Sequence, residues 1–345
     1  MKLLMLGGSG FLGYHAVVAS LAAGHEVTVF SRSGRAPVDG VEVITGDRES
    51  DLSGLRGRQW DGVLDTFTDS TEDAPAVRAT AELLSGSVGV YGYVSGMSVY
   101  APSGPSVPDE SAPVRRAGEE PDSDRLQERS LAKLAGEAAV SELFDGPALF
   151  PRVGIMVGPR GTRYNYWPVR LAKALRGELP RTVLLPGDPD RDVQYSDARD
   201  IASWVVGMLA QGRGGTFNTV GPGRPETLRT VLTACLAASG GGWQDVTFVR
   251  GDEKPMRNLL GDIDEEDRPL WFPEDQIPQV AIDSTAASAA GLVFRSAEDT
   301  AADTLRWAEE SGDPSLTNGS FAEREQKIIE SLLASRRSEA AAVNR

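Results

Sequence analysis

Gly7, Gly10 and Gly13 stand three residues apart directly after the apolar run Leu3, Leu4, Met5, Leu6, and residues 11–23 have the apolar content of a packed helix. Between a strand and a helix, that spacing makes an anion cradle. Gly7 permits the tight turn, Gly10 removes the Cβ that would hold a pyrophosphate off the backbone, and Gly13 lets the helix pack closely on the strand. The N–H groups of Phe11, Leu12 and Gly13, unpaired at the helix start, then face the phosphates. In a chain with 38 glycines such a triplet carries little weight alone. The flanking strand and helix are what point to a dinucleotide.

Gly24 closes the helix, and residues 25–30 alternate polar with apolar before ending at Ser31, Arg32 and Ser33. A carboxylate at that strand end would hold the ribose 2′-hydroxyl of NAD, whereas Arg32, with Arg35 close by, suits a 2′-phosphate. The expected cofactor is NADP, with NAD as the alternative.

These residues need a scaffold. Strand-like runs recur at 41–45, 63–66, 90–95 and 148–153, with helical composition at 74–84 and 126–144 between them. The alternation predicts an α/β fold, a doubly wound parallel Rossmann sheet. After Arg152, Pro159, Pro168, Pro180, Pro186 and Pro189 break the chain into short pieces, which predicts a smaller C-terminal substrate lobe. The expected division is a dinucleotide-binding domain over 1–155, to which 190–220 returns, and a substrate lobe over 156–189 and 221–315. Residues 316–345 complete the chain as a helix with a tail frayed from 338. Residues 101–124, polar with five prolines, read as an exposed excursion.

Composition narrows the function classes. Fifty acidic against 35 basic side chains give a net charge of −15, which repels phosphate backbones and anionic lipid. Nucleic acid and membrane are therefore excluded as expected partners, and a small-molecule substrate is favoured. The single cysteine, Cys235, and two histidines leave no disulfide framework and no expected metal site. The apolar start ends at Gly7 and becomes the glycine turn, so it reads as a strand and the cytoplasm as the compartment.

Further landmarks follow in order: Gly46-Asp47-Arg48 after the third strand, Asp65-Thr66 at the end of the fourth, and Tyr93-Val-Ser-Gly-Met-Ser-Val-Tyr100 at the fifth. Beyond them come Arg152-Val-Gly-Ile-Met-Val-Gly-Pro159 and Asp197-Ala-Arg-Asp200-Ile201. Over nearly its whole length the chain resembles the extended short-chain dehydrogenase/reductase family, in its NAD-dependent epimerase/dehydratase branch. The resemblance implies that Asp47 bonds the adenine amino group with Arg48 beside it, and that Asp65 and Thr66 line the cofactor groove. It also implies a homodimer through the helices at 74–84 and 126–144.

The catalytic positions depart from the family pattern of a Tyr-x-x-x-Lys pair and a Ser or Thr at the fifth strand. In Arg129-Ser-Leu-Ala-Lys133-Leu-Ala-Gly-Glu137 the lysine and glutamate match, but arginine replaces the phenol that would exchange a proton. Arginine holds its proton too tightly to serve. The Ser/Thr slot falls on Gly96, with Ser95 and Ser98 on either side. Lys133 keeps the ribose contact the resemblance implies, Ser95 and Ser98 are substitute hydroxyls, and Tyr100 and Tyr166 are candidates for a relocated acid. Arg129 and Arg163 match an anionic substrate group, with Tyr164 and Gln194 as further substrate contacts. Three readings stay open: an NADP(H)-dependent oxidoreductase or epimerase on a small polar metabolite such as a sugar derivative, a non-redox lyase, isomerase or cyclase with a structural nucleotide, and a non-catalytic NADP-binding protein.

Overall fold

The computed structural model describes residues 1–68, 74–101, 107–117, 125–161, 164–221, 226–260, 268–271, 281–311 and 319–343. The chain divides into two units, one of residues 1–156, 195–223 and 278–294, the other of 157–194, 224–277 and 295–345.

Seven strands of the first unit share one sheet: β1 (Lys2–Leu6), β2 (Glu26–Ser31), β3 (Glu42–Thr45), β4 (Gly62–Asp65), β5 (Tyr91–Tyr93), β6 (Ala148–Val153) and β7 (Gly215–Thr219). Their order is β7-β6-β5-β4-β1-β2-β3, and every neighbouring pair is parallel. A two-residue strand, Ser95–Gly96, adds to β6. The winding reverses between β1 and β4, which opens a crevice at their carboxyl ends.

The uniform apolarity of β1 has a two-sided cause. Successive strand residues point to opposite faces. Leu3 and Met5 join Leu12, Ala16 and Val17 of α1 (Phe11–Ala22), while Leu4 and Leu6 join Val77, Ala81 and Leu84 of α2 (Pro75–Leu84). Ala139 and Val140 of α3 (Arg125–Leu143) complete the second layer, and Ile201, Ala202 and Val205 of α4 (Ala198–Ala210) the first. A strand covered on both faces has no polar side to show. Asp197 caps α4, its carboxylate accepting from the Arg199 N–H.

The second unit holds a parallel pair of strands, Thr182–Pro186 and Thr247–Gly251, with helices Tyr166–Leu175, Leu228–Ala238, Ala297–Glu310 and Gly319–Val343. A buried ion pair ties the last helix to the rest: Glu325 accepts from Arg170 Nε at 2.7 Å and from the Leu184 N–H at 3.1 Å.

Two expectations need correction. Residues 278–294 belong to the first unit, because Ile282 packs with Val99, Tyr100 and Val220, and the Asp283 carbonyl accepts from Asn218. The tail is helical through Val343, past the point where fraying was expected. The described part of the 101–124 excursion is irregular and largely exposed, and it is tethered at two points: Glu110 accepts from the Asn218 N–H at 2.7 Å, and Arg115 donates to the Ser98 carbonyl at 2.9 Å. None of the described helices is long and apolar enough to cross a membrane.

Candidate functional site

At the crevice the three glycines serve different ends. Gly7 has φ +98°, a conformation open to glycine, and a Cβ there would overlap Thr66 Oγ1. A Cβ on Gly13 would overlap the Gly7 carbonyl oxygen, so this glycine sets the helix-to-turn approach. Gly10 is different: a Cβ there would meet nothing closer than the Gly7 oxygen at 3.7 Å. Among the described residues no contact requires a glycine at position 10, which is exposed at the start of α1. That is the opening a pyrophosphate would fill. Leu12 is buried in the core, which leaves its backbone N–H as the group it can offer. Phe11 is half-buried.

Thr66 locks this turn from across the crevice. Its hydroxyl donates to the Leu6 carbonyl at 3.0 Å and lies 3.4 Å from that of Gly7. After β2, Arg32 and Arg35 are exposed, and the Ser31 and Ser33 hydroxyls face each other at 3.4 Å. No carboxylate occurs among residues 31–38, so the position chemistry favours an anion. Asp47 is half-buried, with Oδ1 accepting from the Glu49 N–H.

Arg48 and Asp65 turn inward, a correction to their expected cofactor contacts. Asp65 is fully buried and grips Arg48 with both oxygens at 2.7 and 2.8 Å, while accepting from Tyr91 Oη at 2.7 Å and the Phe67 N–H at 2.9 Å. Arg48 also donates to Thr80 Oγ1. With its oxygens occupied and no exposed surface, Asp65 shapes the groove from behind.

Lys133 comes up from α3 to the ends of β4 and β5. Its ammonium donates to the Val94 carbonyl at 2.6 Å and the Phe67 carbonyl at 3.1 Å, 4.9 Å from the centre of the Tyr93 ring. Ser95, next to Val94 in sequence, is 1% exposed and its Oγ has no hydrogen-bond partner among the described residues. Ser98 is half-buried, and Arg129 is exposed one turn before Lys133.

The two tyrosines expected as relocated acids, Tyr100 and Tyr166, are both buried. Tyr100 is buried, donating to Asn218 Oδ1 at 2.6 Å and accepting from Arg152 at 3.0 Å. Burial raises its phenol pKa, against the pull of Arg152 and Asn218. Arg152 is itself held on Glu137 at 2.8 and 3.0 Å, so Tyr100 closes a structural network. In the second unit Tyr166 is fully buried against Trp167 and Phe321, and burial, then the Glu325 charge, drives its phenol well up. Tyr164 and Gln194 are buried too, Tyr164 beside Cys235. Arg163 lies outside the described residues. Tyr91, Tyr93 and Tyr195 are also buried, and Tyr14 is half-buried on α1.

Two features escaped the sequence. The Thr66 clamp needs β4 beside β1, a pairing that spacing does not encode. Asn165 is fully buried with neither Nδ2 nor Oδ1 partnered among the described residues, a state that local sequence could not reveal.

The dTDP-glucose 4,6-dehydratase of Bacillus anthracis str. Ames, in complex with NAD, matches with a TM-score of 0.62 at 17% identity, over 90% of this chain and 97% of that one. The chain has the fold of the epimerases and dehydratases. UDP-glucose 4-epimerase from Bifidobacterium longum, in complex with NAD+ and UDP, matches at 0.61 and 18% identity, over 91% and 100% of the two chains. UDP-glucuronic acid 4-epimerase from Bacillus cereus, in complex with NAD, gives 0.61 and 18%, over 90% and 99%. No protein-family model matches the chain, and no curated protein sequence does.

Proposed function

We propose that the chain binds NADP(H) at the carboxyl ends of β1, β2 and β4, and is an oxidoreductase or epimerase acting on a sugar derivative. The observation that carries this reading is the exposed Gly10, which no contact among the described residues explains, in a fold shared with epimerases and dehydratases solved with NAD. The Phe11, Leu12 and Gly13 N–H groups would hold the pyrophosphate, Arg32 with Arg35 the 2′-phosphate, Asp47 the adenine, and Lys133 the nicotinamide ribose. A bound nicotinamide supplies reversible hydride exchange. Near that point the chain offers the Lys133 ammonium, fixed by two carbonyls, and the hydroxyls of Ser95 and Ser98. Arg129 is a guanidinium for a substrate phosphate or carboxylate.

The matched structures named above carry NAD, whereas the arginines after β2 argue for the phosphorylated cofactor. Calorimetry on nucleotide-stripped protein should find NADPH bound more tightly than NADH. Arg32→Ala should weaken NADPH about tenfold and leave NADH unchanged. Equal affinities in the parent protein would remove Arg32 as a phosphate contact.

A second reading, non-redox chemistry with a structural nucleotide, is favoured by the burial of Tyr100, Tyr164, Tyr166 and Tyr195. Deuterium labelling decides between the two. NADPH labelled at the transferred position should pass its label to a sugar-derived substrate, or epimerisation should show transient reduction of bound cofactor. A substrate converted with neither effect would establish the second reading.

A further inference from the structure

Resting on the proposed dinucleotide site, we infer that Thr66 is a positioning residue that holds the glycine turn in the shape a pyrophosphate needs. Three consecutive residues at the end of β4 bond in three directions. Asp65 faces inward, fixed by Arg48 and Tyr91. Thr66 reaches across the winding reversal, its hydroxyl on the Leu6 carbonyl and near that of Gly7. Phe67 presents its carbonyl to the Lys133 ammonium, while its N–H is held by Asp65.

The consequence is a rigid bar between the two ends of the crevice. Gly7 carries the left-handed φ of the turn, and its carbonyl oxygen accepts from the Gly10 N–H at 3.3 Å. The Gly10 carbonyl in turn receives the Tyr14 N–H at 2.8 Å. The Thr66 hydroxyl thus bears on the carbonyl from which the turn hydrogen bond starts. Thr66 Oγ1 also occupies the space a Gly7 side chain would need, so position 66 and position 7 constrain each other. A strand-end hydroxyl that orders an anion-binding turn before the anion arrives lowers the ordering cost of binding.

Three substitutions separate the hydroxyl from the methyl. Thr66→Val keeps the shape and removes the donor, Thr66→Ala removes both groups, and Thr66→Ser keeps the donor alone. Losing one net hydrogen bond corresponds to about 3- to 10-fold weaker NADPH binding for the Val and Ala variants, with Ser near the parent. In the nucleotide-free proteins, hydrogen exchange at the Gly10 and Tyr14 amides should accelerate in Val and Ala and not in Ser. Should Val fail to fold because its methyl crowds the Leu6 and Gly7 oxygens, the Ala and Ser pair carries the comparison. Unchanged exchange and affinity in Ala, or Ser as impaired as Ala, overturns the inference. Parent protein that binds neither NADPH nor NADH overturns the functional reading instead, and the exchange rates then still decide whether Thr66 holds the turn.

Discussion

Gly10→Asp should abolish nucleotide binding while leaving the free protein as stable as before. The residue caps α1 with an ordinary extended backbone, φ −70° and ψ 170°, which aspartate adopts readily. Its side chain would enter open space and could accept from the N–H groups of the first turn, gaining about 0.5 kcal/mol or less over glycine. For a pyrophosphate the same carboxylate is a like charge set where the phosphates must sit. The expected loss of NADPH affinity is on the order of 100-fold or more, near 2.7 kcal/mol. Calorimetry with thermal denaturation reads both quantities on one sample. A variant that still bound NADPH within about twofold of the parent would place the nucleotide elsewhere. Gly13→Ala is the contrasting control, because its methyl collides with the Gly7 oxygen and should destabilise the free protein as well.

Glu325→Ala should be the most damaging single change in the second unit. Arg170 and Glu325 are 1% and 4% exposed at their side chains, so removing the carboxylate strands a guanidinium away from water. It also strips the Leu184 N–H of its acceptor. Breaking a buried pair from one side costs about 3–5 kcal/mol, a large part of the stability of a typical domain. Removing both charges with Arg170→Met and Glu325→Leu should recover much of that loss, since the penalty belongs to the unpaired charge. Cys235 supplies the readout: it is the only cysteine, lies fully buried in the same unit, and burial pushes its thiol up to about 12. It should resist alkylation at pH 8 in the parent and react quickly in Glu325→Ala. Equal alkylation rates and melting temperatures in parent and variant would show the pair to be dispensable.

The glycine turn was largely legible in the residue order, because such a turn is made by neighbours. Leu3 to Leu6, Gly7, Gly10 and Gly13 are contiguous, and the backbone needs of a strand, a tight turn and a helix start are local. Period and composition likewise placed β1 to β6 and the helices between them, with boundaries off by a residue or two, as at α2 and α3. The exposed Arg32 was readable for the same reason, being one residue beyond a strand that alternation delimits.

What the chain order could not decide is where each polar side chain ends. Tyr100 looked available as an acid, and in the fold its hydroxyl donates to Asn218 Oδ1, 118 residues away. Asp65 and Arg48 looked like groove residues until α2 and β5 supplied Thr80 and Tyr91 as partners. Arg170 met its carboxylate 155 residues downstream, which made the C-terminal helix part of a core. Residue types and local spacing by themselves determined the strands, the helices and the glycine turn between β1 and α1, since those properties depend on adjacent backbone. Only the tertiary structure decided which of its charges and hydroxyls face that turn and which are spent inside, because burial is settled by elements that meet only once the chain has folded.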